Sequence, residues 1–163
     1  MEARNVTIGG AVRRPRLTEA PTAAPARTLA MRSAETYLAH IMSINAQNYV
    51  ADLAEPDGAM LSPHRIAATL HIGMAELATI VGASRATLGR RPPTSAADRA
   101  LSPVARILIM AAEMSGTLER ATLWFKHQPL PGWSGKTARD LVTQGAAQQV
   151  LDYLEATRAG VFA

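Results

Sequence analysis

Apolar residues recur at three- and four-residue spacing through most of the chain, and no stretch alternates β-branched and polar residues over a strand's length. From Thr28 to about Leu53 this spacing predicts a helix. Leu38, Ile41 and Met42 share its inner face, followed by Ala46, Tyr49, Val50 and Leu53. Glu55-Pro56-Asp57-Gly58 reads as a turn. Ser62-Pro63 then pairs a capping side chain with proline at the first helical position, which predicts a short helix with Ile66, Ala67 and Leu70 inward. Pro92-Pro93 stops what precedes it. Ser102-Pro103 repeats the start signal and predicts a longer helix carrying Val104, Ile107, Leu108 and Ala111 on one side. Gly116-Thr117 ends that helix and opens another reaching Trp124 and Phe125. A loop rich in Pro and Gly, Pro129 to Gly135, leads to a short helix at Thr137 to Val142. A last helix carries Ala147, Val150, Leu151 and Leu154 and ends near Gly160. The predicted fold class is all-α.

Composition agrees with that pattern. Hydrophobic residues make up 48% of the 163 and aromatics 4%, so the core must be built from Ala, Leu, Ile, Val and the 7 Met. These side chains, the β-branched ones apart, lose little freedom in a helix. The first 28 residues differ: Pro15, Pro21 and Pro25 interrupt any helix and large apolar residues are scarce, which predicts a disordered basic tail. With no cysteine, disulfides, thiolate metal sites and Cys nucleophiles are excluded. The longest apolar run, Ile107 to Ala112, is far short of the roughly 18–20 residues that cross a bilayer, so no membrane association is expected.

The net charge of +4 is unevenly spread. Residues 33–61 contain no Lys or Arg, whereas residues 62–106 carry Arg65, Arg85, Arg90, Arg91, Arg99 and Arg106 against Glu76 and Asp98 alone. A basic block of this kind suits an anionic partner, nucleic acid first. Within it, Met74 to Arg91 has the spacing of a helix-turn-helix. Ala78 sits where two helices would cross, Gly82 falls at the turn, and Leu77, Val81, Ala83 and Leu88 supply a shared core. Ser84 would cap the second helix. Arg85 would then reach a guanine edge and Thr87 a thymine methyl or a phosphate, with Arg90 and Arg91 on the backbone. A short helical hairpin in any small α-domain also needs a small crossing residue and a turn glycine, and Gly89 weakens the second helix by on the order of 1 kcal/mol.

The most specific stretch is Trp124 to Val142, WFKHQPLPGWSGKTARDLV. With the terminal Gly160-Val161-Phe162-Ala163 it resembles the Xre/MbcA/ParS antitoxin family. The family's toxin-binding pattern is met by Trp124, Pro129, Trp133, Gly135, Thr137 and Leu141; Ala138 stands where many members have proline, and Gln128-Pro129 where they often have Pro-Asn. The resemblance implies an Xre-like helix-turn-helix region over residues 29–101 and a small helical toxin-binding domain over 102–163, behind the tail of residues 1–28. It implies a RES-domain toxin as partner, one that degrades NAD or transfers ADP-ribose, and repression of the chain's own operon by binding operator DNA. A homodimer in the bacterial cytoplasm is expected, without a cofactor. The toxin-binding residues it suggests are Trp133, Gly135, Lys136, Thr137, Val161, Phe162 and Ala163. The residues alone leave alternatives. Trp124 and Phe162 either fill the chain's own core or dock on a partner, and the C-terminal domain either binds a toxin or only dimerises a transcriptional regulator.

Enzyme readings find no support. Gly135-Lys136-Thr137 ends like a phosphate-binding loop, but Leu130 stands where that loop needs its first glycine. Gly132-Trp133-Ser134-Gly135-Lys136 lacks the last glycine of a nucleophile elbow. His40, His64, His71 and His127 show no metal-ligand spacing, and no catalytic residue is assigned.

Overall fold

A helix over residues 45–53 (α1) opens the part of the chain that the computed structural model describes, residues 45–160. The basic tail, the apolar positions Leu38, Ile41 and Met42, and Val161-Phe162-Ala163 all lie outside it. After α1 come α2 (Pro63–Thr69), α3 (Met74–Val81), α4 (Arg85–Leu88), α5 (Ser95–Ser115), α6 (Leu118–His127), α7 (Ala138–Thr143) and α8 (Ala147–Arg158). The described residues form no strand, only isolated bridges at Ala54–Leu61 and Pro129–Thr137. The all-α expectation holds.

The start signals explain where most of these helices begin. Ser62 accepts the Arg65 N–H ahead of Pro63, and Thr117 accepts the Arg120 N–H at the head of α6. Glu55 to Gly58 forms the expected turn, closed by the Gly58 N–H on the Glu55 carbonyl at 2.8 Å. The start expected at Ser102-Pro103 is wrong. The helix begins at Ser95, where the Thr94 side chain accepts the Ala97 N–H, and Pro103 lies inside it. Proline there removes one helical hydrogen bond and crowds the carbonyl four residues back, a cost of about 3 kcal/mol. Ala97 and Leu101 offset it: both are fully buried, on the face that continues through Val104, Ala105 and Leu108. Pro92-Pro93 is therefore the lead-in to α5 as well as a stop.

One apolar core runs from Leu53 of α1 through Ile66, Leu77, Leu88, Leu108 and Phe125 to Leu154 of α8. Helix α5 is its axis, packing on α6 and α8, while α7 packs on α3 and α8. Polar contacts tie the early helices to the late ones. Thr122 Oγ1 donates to the Thr69 carbonyl at 3.3 Å and Lys126 Nζ to the Leu70 carbonyl at 3.0 Å, so α6 satisfies carbonyls at the end of α2 that have no partner within their own helix. Arg139 of α7 pairs with Glu76 of α3 at 2.6 Å. Asp98 accepts the Leu61 N–H at 2.9 Å and holds the segment before α2 against α5.

Candidate functional site

The segment Met74 to Arg91 folds as two helices across a tight turn. Helix α3 ends at Gly82, whose φ of +64° is left-handed and strained for any residue with a Cβ. Leu77, Ala78 and Leu88 are buried, with Val81 and Ala83 half-buried beside them, the small core the spacing called for. Ser84 caps α4: its Oγ accepts the Thr87 N–H at 3.0 Å and lies 2.8 Å from Thr87 Oγ1. That contact engages both hydroxyls within the protein and leaves Thr87 half-buried. Helix α4 is a single turn, ended at Gly89. Arg85, Arg90 and Arg91 are exposed, and none of their guanidinium groups makes an ion pair or hydrogen bond with a described residue. The structure thus presents three unengaged guanidinium groups on and just after a one-turn helix, shorter than the second helix the spacing predicts.

The loop from Pro129 to Thr137 is built differently. The Leu130 N–H donates to the Lys136 carbonyl at 2.8 Å, and the Lys136 N–H to the Trp133 carbonyl at 3.0 Å. Leu130 is buried beneath them. Gly135 has a φ of +80°, the left-handed backbone the turn needs. Trp133 is half-buried: its indole N–H donates to Gln149 Oε1 at 3.1 Å, and its ring meets Tyr153 edge-on at 5.8 Å between centroids. Lys136 Nζ donates to Gln144 Oε1 at 2.7 Å. Thr137 forms a capping box on α7, accepting the Asp140 N–H while Asp140 Oδ2 accepts the Thr137 N–H at 2.9 Å. The Thr137 backbone N–H, then its hydroxyl, with Arg139 and Lys136 nearby, hold the Asp140 carboxyl below the usual carboxylate range. Every side chain named here for toxin contact, among those described, has a partner inside the protein.

The open apolar surface lies beside this loop, on the hairpin of α5 and α6. Leu123 is 61% exposed and Met114 43%; Val50 on α1 is the other large exposed hydrophobic among the described residues. Trp124 is half-buried, packs against the core, and lines one recess with Met114 and another with Leu123. The first is a recess of about 300 Å³, lined by Met114, Arg120 and Leu154 among others. The second, more open, is about 500 Å³ and is lined by Leu123, His127 and Pro129 among others. The residue pattern contains a signal for this face. The inner side of α6 is Ala121, Thr122 and Phe125, so Leu123 falls out of phase, where a polar residue would be expected.

A further recess of about 450 Å³ lies between α1, the end of α2 and the α5–α6 corner, lined by Tyr49, Asp52, His71 and Glu119 among others. Tyr49 donates its hydroxyl there to the Gly116 carbonyl at 2.8 Å. Among the described residues no group of three His, Asp or Glu is placed to hold a metal ion.

Residues 110–160 match the family model described as the antitoxin Xre/MbcA/ParS C-terminal toxin-binding domain. No curated protein and no solved structure matches the chain. The matched stretch holds the end of α5 and all of α6 to α8, and with them the loop at Trp133 and the face at Trp124.

Proposed function

We propose, from the match of residues 110–160 to the antitoxin Xre/MbcA/ParS C-terminal toxin-binding domain, that the chain is the antitoxin of a type II toxin–antitoxin pair. It binds a RES-type toxin, blocks its consumption of NAD or transfer of ADP-ribose, and has no catalytic activity of its own. It acts in the bacterial cytoplasm, as a homodimer that also represses its operon. The family match carries this reading. Support for the DNA-binding half comes from the turn at Gly82 and the unengaged Arg85, Arg90 and Arg91. Two copies related by a two-fold axis would set two such heads on half-sites about 34 Å apart. No helix of the described residues is long and apolar enough to cross a membrane.

The test is co-expression with the product of the adjacent gene, followed by co-purification and an NAD-consumption assay. The expected result is a stable complex in which NAD loss is suppressed. A neighbouring enzyme that consumes NAD equally fast with and without this chain would refute the reading.

A further inference from the structure

We propose that the toxin seats on the exposed face of the α5–α6 hairpin, with Trp124 as the anchor and Leu123 and Met114 beside it, and that the loop around Trp133 is scaffold rather than contact surface. The inference rests on the antitoxin reading above and assigns it a place on the molecule.

Three observations carry it. Within the matched stretch 110–160, Leu123 and Met114 are the large hydrophobic side chains left exposed among the described residues, and each lines a recess together with Trp124. Exposing apolar area costs roughly 25 cal/mol per Å², so such a face marks contact with another protein. Next, the Trp124 indole N–H has no hydrogen-bond partner among the described residues and is not buried, whereas that of Trp133 is already spent on Gln149. A tryptophan offering both an apolar face and a free donor is the residue type most often found at the energetic centre of an interface. Finally, charge at the rim specifies the partner. Arg120 lines both of these recesses and donates to the Ser115 carbonyl at 3.2 Å, but pairs with no carboxylate among the described residues. His127 is exposed at the same rim. The matching toxin surface is an apolar projection that fills the recesses beside Trp124, with an Asp or Glu opposite Arg120 and a hydrogen-bond acceptor opposite the indole.

The deciding experiment uses the full chain and the purified product of the adjacent gene as the probe. Leu123→Asp changes a side chain that is mostly in water, so circular dichroism and thermal unfolding should match the wild type. Toxin affinity should fall roughly 30-fold or more, the loss that defines an interface hot spot. Trp124→Phe should weaken binding by a smaller factor by removing the indole donor, and Trp133→Phe should leave affinity within about threefold. If the wild type binds the probe and Leu123→Asp binds it equally well, this placement is overturned while the antitoxin reading stands. If the wild type does not bind at all, both fail. If Leu123→Asp instead converts a dimer to a monomer with toxin affinity intact, the face belongs to a second copy and the placement is again overturned.

Discussion

The two segments that carried the functional reading, Met74–Arg91 and Trp124–Val142, use their characteristic residues in opposite ways. In the first, the structural positions (Leu77, Ala78, Gly82, Leu88) and the chemical ones (Arg85, Arg90, Arg91) are separate, and the latter point into solvent with nothing holding them. In the second, the residues that make the pattern recognisable are largely consumed by the fold: Thr137 caps a helix, Gly135 turns the backbone, and Trp133 closes the loop onto α8. A recognisable pattern can thus mark residues that hold the frame together, while an exposed apolar position such as Leu123 carries no such mark.

The contrast can be broken or sharpened by experiment. The largest effect should come from Phe125→Ala, which removes the largest fully buried side chain among the described residues and should cost about 3–5 kcal/mol. Because Phe125 and Leu88 lie in one core, denaturant unfolding of this variant should remain a single transition that takes α3 and α4 with it. A two-step melt with the early helices surviving would show two independent regions. Next, Arg85→Ala should weaken operator binding by about 1–3 kcal/mol and relax sequence preference, measured by gel shift at fixed salt. Unchanged affinity and selectivity would remove α4 as a reading element. Thr137→Ala should lower stability by about 1 kcal/mol, through loss of the cap on α7, with toxin affinity little changed. Were affinity to collapse while stability held, Thr137 would be a contact residue after all.

The smallest effect is a pH dependence. The Asp140 carboxyl is held below its usual range, chiefly by the Thr137 N–H, so its charged form is favoured in the folded state. Its contribution is present above the ordinary carboxylate value and is lost as pH falls through the lowered one. Wild type should therefore outlast Asp140→Asn in thermal unfolding at neutral pH, with the gap closing in acid. Asp140 is exposed, so solvent screens the interaction and the gap stays small.

Much of the fold was legible because local signals and burial agreed. Ser62-Pro63, Gly116-Thr117 and Thr137 all open helices where the sequence places them. Residue 102 misled because Ser-Pro is only a local preference. The apolar face extends back to Ala97, and burial of Ala97 and Leu101 together offsets what proline loses at 103. For the site, spacing located Gly82 and the three arginines but not the short length of α4, which Gly89 ends. The exposure of Leu123 was present as a phase error in α6. It stayed hidden because a single leucine on an outer face is common and gains meaning only beside a tryptophan and a recess.

Helix α5 sets a practical limit on dissecting this molecule. A recombinant fragment spanning 110–160 would begin in the last quarter of that helix, shedding Leu101, Val104, Ile107 and Leu108 and laying bare the sides of α6 and α8 that rest on them. Such a peptide would arrive without the spine its partners lean on. Any shorter expression product should therefore keep α5 whole, together with the α1–α4 residues that share its core.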